Sequence, residues 1–152
     1  MQPSDLFFAG TRYAIMGYHA TGRSHGPIVV RALIHAGKHP VIIGATPNAP
    51  RHASVRDTLH DAGAVDGVVL LPPTPWNDLA AAYVTECAQA CVNAGVDAVW
   101  LYTAGDPEPA AAILREHDLD PVVGVCPCLY IPNGGFPHNL HRWFHKRFSR
   151  TE

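Results

Sequence analysis

The sequence predicts a three-layer α/β fold, an open parallel sheet of about five strands with helices on both faces. Three observations carry this expectation. Short apolar runs recur along the chain, helix-like segments separate them, and glycine, proline and polar side chains gather after each run. Strand and helix alternating in this way build parallel sheets, because parallel neighbours need a crossover between them. At 152 residues with a 47% apolar fraction, the chain has the size of a single domain and enough material for a core.

The first strand is expected at Tyr13 to Met16, followed by a loop through Gly17, Gly22 and Gly26. Pro27 suits the first turn of a helix, which should reach His35, with Gly37 supplying the left-handed stop. A second strand, about Pro40 to Ile43, gives way to the loop GATPNAP. Val55 and Leu59 stand four apart, with Ala62 on the same face, so Ser54 to Ala62 is expected as a short helix. Gly67 to Leu71 is nearly continuously apolar, as in an interior strand covered on both faces, and stops at Pro72 and Pro73. Asn77 or Thr74 is placed to cap a helix over Asp78 to Ala94, closed by Gly95. A fourth strand at Asp97 to Leu101, a helix over Glu108 to Glu116 and a fifth strand at Pro121 to Val125 complete the rhythm. Leu6, Phe7 and Phe8 are expected to pack on the body as a short lead-in.

The formal charge of −2 argues against a protein that wraps nucleic acid, which would carry a strong basic excess. No apolar run reaches transmembrane length and the first residues lack a signal-peptide pattern, so membrane insertion is not expected and a cytoplasmic location is. In that compartment the four cysteines, at 87, 91, 126 and 128, are expected as thiols.

The strand-loop-helix of Tyr13 to Leu33 organises the chain. Glycines expose backbone N–H groups and a helix amino end favours negative charge, so the loop is a candidate phosphate cradle. Gly17, Gly22 and Gly26 would allow close approach, and Arg23 would add charge-assisted hydrogen bonds. His19 and His25 either donate to phosphate or serve as loop and cap residues. The glycine spacing is not the strict dinucleotide fingerprint.

Read in order, these segments resemble the CoA-binding domain family, a Rossmann-like domain also found as the first domain of the succinyl-CoA synthetase alpha subunit. The residues from Gly17 to Gly26 match the outer glycines of its G-A-S-x-D-P-x-K-x-G loop, with His19 in place of the usual Ser and Arg23 one position before the usual Lys. Val65-Asp66-Gly67-Val68-Val69 resembles its third strand, and Ala94 to Leu101 the segment written GAKAVWLQ. Val122 to Leu129 resembles its closing strand and D-R-C-L turn, with Cys128 on the family cysteine and Cys126 in the acidic position. The family's V-N-P after strand two has no clean match. The resemblance covers roughly residues 12 to 129 and implies CoA or acyl-CoA as ligand.

That implication gives other loops two readings each. Pro72, Pro73 and Pro75 either wall an adenine or end the strand, and Trp76 either extends the wall or staples the next helix. Arg51 reads as a ribose-phosphate contact or as a solvated arginine. Tyr102 and Thr103 are placed to hydrogen-bond a pantetheine-like arm or to structure a surface loop.

Catalysis has weaker support. Ser24 and the histidines form no ordered nucleophile-base set, and the synthetase's phosphorylated histidine lies beyond this domain. Neither Cys87 and Cys91 nor Cys126 and Cys128 has C-x-x-C spacing, and His138, His141 and His145 span two helical turns, so no metal is expected. Cys128, near the expected cleft, reads as a packing residue or as a redox-sensitive thiol. The expected function is noncatalytic binding of CoA or acyl-CoA as carrier, regulator or sensor. The rivals are an NAD-dependent oxidoreductase, for which residues 44–50 offer no ribose-binding acid, and an interaction protein with a vestigial nucleotide site. Leu140, Trp143, Phe144 and Phe148 recur by three and four among basic residues, predicting an amphipathic helix over 138–150 that serves core docking or a homodimer.

Overall fold

The computed structural model describes residues 3–18, 25–44, 49–71 and 76–132. The amphipathic helix expected over 138–150 lies outside them. The described elements, in order, are α1 (Pro3–Leu6), a 3-10 turn (Phe7–Ala9), β1 (Arg12–Met16), α2 (Gly26–His35), β2 (His39–Ile43), β3 (Ser54–Arg56), α3 (Leu59–Ala62), β4 (Gly67–Leu70), α4 (Asp78–Ala94), β5 (Val99–Leu101), α5 (Glu108–Arg115), β6 (Val122–Val123) and a second 3-10 turn (Pro127–Leu129).

The strands form one sheet in the order β3-β2-β1-β4-β5-β6, every described pair parallel. Register aligns like with like. Ile42, Ile15, Val69, Trp100 and Val122 form one row across the sheet, and Met16, Leu70, Leu101 and Val123 the next. Successive side chains alternate between faces, so these two rows feed two separate cores. On one face α2 and the first residues pack over Tyr13, Ile15, Ile42, Val69 and Trp100. On the other, α3, α4 and α5 pack over Ala14, Met16, Val68, Leu70, Val99 and Leu101.

The amino-terminal lead-in is anchored by aromatics. Phe7 and Phe8 are buried, and their rings lie 5.3 and 5.4 Å from that of Trp100. The buried Tyr13 hydroxyl donates to the Phe7 carbonyl at 2.9 Å, and burial pushes its pKa up to about 12. Gly67 is glycine because the Phe7 ring lies where a Cβ would point. Leu6, expected to pack with them, instead stays 55% exposed.

Among the described residues the sheet has six strands, one more than the approximate five expected. The extra one comes from the front of the helix expected over Ser54 to Ala62: Ser54, Val55 and Arg56 pair with Val41, Ile42 and Ile43. Val55 packs on the α2 face and Leu59 on the other, so their four-residue spacing reflects a chain crossing the sheet edge. Thr58, extended at φ −130° and ψ 160°, ends the strand and caps α3 by accepting from the Asp61 N–H. The final strand is likewise shorter than expected, covering only Val122–Val123. Elsewhere the punctuation worked as expected. Asn77 caps α4 through the Ala80 N–H at 2.9 Å, and Gly95 takes the left-handed stop. Among the described residues no helix is long and apolar enough to cross a membrane.

Candidate functional site

The strand order reverses between β1 and β4, whose connections leave toward opposite faces. In open α/β sheets the carboxyl side of such a reversal forms a crevice. Its floor here is Gly17, directly after β1. Gly17 has φ +82°, and a Cβ there would run into the Leu71 carbonyl. The Leu71 N–H donates to the Met16 carbonyl at 2.9 Å, and the Gly17 backbone hydrogen-bonds the Tyr83 hydroxyl of α4. Burial pushes the Tyr83 phenol up. The two strand ends and α4 are therefore tied together at one glycine.

Beside this floor α2 begins at buried Gly26, with Pro27 in its first turn. His25 precedes it, half-buried, and its carbonyl accepts the Val29 N–H at 2.9 Å. The His25 ring meets the Tyr102 ring edge-on at 5.0 Å and 74°. Tyr102 is held at the end of β5 by its N–H, which donates to the Leu70 carbonyl at 3.0 Å. Gly17, His25, Gly26 and Tyr102 are thus brought to one edge from three elements. Thr103 follows Tyr102, but its hydroxyl donates to the Gly105 carbonyl at 2.9 Å, a loop-structuring role. Trp76 lies against Gly105, where any Cβ would collide with the indole. Arg51 lies apart, exposed in the turn leading to edge strand β3. His19, Gly22, Arg23, Pro72, Pro73 and Pro75 lie outside the described residues.

The cysteines divide between the two faces. Cys87 and Cys91 are buried in the core under α4, whereas Cys128 belongs to the core under α2. The sheet between them prevents four thiolates from converging on one ion. Burial pushes Cys87 up to about 11 and Cys91 up to about 12, which suits packing thiols. At the other pair, Cys128 is buried and its pKa raised, first by its hydrogen bond to Cys126 and then by burial. Cys126 is the half-exposed partner, held below the ordinary thiol value first by the Cys128 S–H and then by the Cys128 and Leu129 N–H groups, against burial. Of the pair, Cys126 is thus the more exposed thiol, while Cys128 is buried in the core. The Cys-Pro-Cys spacing was visible in the sequence, but which sulfur faces the core was not. Among the described residues no group of three or more His, Cys, Asp or Glu side chains is arranged to hold a metal ion.

A cleft of about 460 Å³ lies at the opposite edge, lined by Leu6, Phe7, Asp66, Asp97, Asp120 and Val122 among others. Three carboxylates suit it poorly to an anionic ligand. Asp66 is already engaged there, accepting the Thr11 and Arg12 N–H groups at 2.7 and 2.9 Å, which hold its carboxyl below the usual range.

No protein-family model and no curated protein sequence matches the chain. Solved structures do. Prb, the PH1109 protein redesigned for binding, is similar at a TM-score of 0.65 and 15% identity, over 86% of this chain and 85% of that one. A conserved hypothetical protein from Pyrococcus furiosus is similar at 0.63 and 17%, over 77% and 96%. A hypothetical protein from Pyrococcus horikoshii OT3 is similar at 0.60 and 15%, over 85% and 84%. The likeness is one of fold. What is shared is the three-layer, Rossmann-like α/β arrangement.

Proposed function

We propose that this chain binds CoA or an acyl-CoA without transforming it, as a carrier, regulator or sensor. The observation that carries the reading is the crevice at the reversal of strand order, with Gly17 as its floor and α2 starting beside it. The resemblance of residues 12–129 to the CoA-binding domain family then selects the ligand. In this reading the loop from Gly17 to Gly26 cradles the diphosphate through backbone N–H groups, aided by Arg23 and the imidazoles of His19 and His25. Pro72, Pro73 and Pro75 wall the adenine, and Arg51 serves a ribose phosphate. Tyr102 and Thr103 border the path of the pantetheine arm. Residues 138–150 form an amphipathic helix that contributes to a homodimer. Removing the residues after Pro137 should lower the solution mass from dimer to monomer, and an unchanged dimer would contradict that part.

Calorimetric titration of ligand-free protein with CoA, acetyl-CoA, NAD, FAD and ATP under identical salt tests the ligand. Saturable binding of CoA and acetyl-CoA is expected. Arg23→Ala should weaken it by roughly ten- to hundredfold, the loss of a charge-assisted contact worth about 1.5–3 kcal/mol. Binding of NAD without CoA would replace this reading with an oxidoreductase, and binding of none would favour an interaction protein.

A further inference from the structure

The turn after β6 holds two thiols in a single Cys-Pro-Cys step whose surroundings differ. Cys126 keeps extended backbone, at φ −66° and ψ 122°, and Pro127 then opens the 3-10 turn that carries Cys128. This bend sets the two thiols side by side, and the Leu129 N–H closes it by donating to the Cys126 carbonyl at 3.1 Å. Cys126 is half-exposed, while Cys128 is 3% exposed and set in the core beneath it. A half-exposed cysteine beside a shielded one is the arrangement of an attacking and a resolving cysteine. The Trp100 indole fixes the turn from below by donating to the Val125 carbonyl at 2.8 Å. Tyr102, at the end of β5, packs against the same core as Cys128, and His25 packs on its ring. Cys87 and Cys91 make the contrast: both are buried in the opposite core.

We propose that Cys126 and Cys128 form a redox-active dithiol that reacts with low-molecular-weight disulfides at the carboxyl edge of the sheet. The Cys126 thiolate attacks one sulfur of the small disulfide, breaking its S–S bond and forming a mixed disulfide; the departing thiolate takes a proton from solvent. Cys128 then loses its proton and attacks the Cys126 sulfur. The second small thiolate leaves, is protonated, and an intrachain Cys126–Cys128 bridge remains. Two protein thiols are oxidised to one disulfide while one small disulfide is reduced to two thiols, so electrons and protons balance. A bridge spanning one residue closes a small, constrained ring, which favours its reduction when small thiols are in excess. The proposal needs no nucleotide and stands apart from the CoA reading.

The test treats the reduced 152-residue chain with oxidised glutathione and follows intact mass and mapped peptides. Wild type should lose two hydrogens, retain no glutathione and show a Cys126–Cys128 bridge. Cys128→Ser should instead accumulate one glutathione on Cys126, and Cys126→Ser should react roughly tenfold or more slowly. Limited iodoacetamide labelling of wild type, which needs no variant to fold, should mark Cys126 ahead of the other three cysteines. A stable glutathione adduct on wild type without the bridge, no reaction of wild type, or another cysteine labelled first would overturn the proposal.

Discussion

Gly17 shows how a residue can be singled out for one reason and needed for another. Its place in the sequence marks it as a phosphate-approach glycine, but its positive φ and the Leu71 carbonyl already require it before any ligand is considered. Gly17→Ala should therefore destabilise the fold by about 2–4 kcal/mol, from the left-handed conformation plus overpacking, as read by denaturant midpoint. Asp66 supports the other end of β1. Because the Arg12 and Thr11 N–H groups lower its pKa in the folded state, it contributes stability above its unfolded pKa that is lost as pH falls through the folded one. Asp66→Ala should cost about 1 kcal/mol at neutral pH. The gap to wild type should hold above about pH 5 and close at lower pH, below the unfolded value of about 3.9; a gap independent of pH would refute the assignment. The Trp76–Gly105 and Cys126–Cys128 contacts were not legible in this way, because they depend on how separate loops meet or on which sulfur turns inward.

At the scale of elements, the legible parts were those whose local signals agree. The helix α4 has a capping Asn77, a closing Gly95 and a buried stripe of Ala80, Val84, Cys87, Ala88 and Cys91, and it begins and ends where those signals fall. Asn77→Ala should lower stability by about 1 kcal/mol, measured by thermal or denaturant unfolding. Replacing Cys87 and Cys91 together by Ala should cost about 1–3 kcal/mol of packing. Elemental analysis of the reduced protein should find no stoichiometric zinc or iron, and either metal in a reproducible ratio would contradict the packing role. The edge strand β3 was not legible. Three residues with one half-buried valine carry no alternation to count, and Val55 with Leu59 imitated a helical pair. Only pairing with β2, a tertiary fact, decides it.

For the whole molecule, the rhythm of apolar runs was enough to predict a parallel sheet, since each interior strand is buried on both faces and reads as a block. The order of the strands gives the reversal between β1 and β4, and with it one edge where Gly17, His25, Gly26 and Tyr102 converge. The opposite edge presents Asp66, Asp97 and Asp120 around its cleft and would repel a diphosphate. In the proposed function, therefore, the ligand sits at the carboxyl edge, over the reversal. Backbone amide shifts of isotope-labelled protein titrated with CoA test it most directly. CoA held there should give saturable shifts at Gly17, Tyr18, His25, Gly26, Leu71 and Tyr102, with Asp66, Asp97 and Asp120 unmoved. Shifts confined to the three aspartates' edge, or none at either, would contradict it.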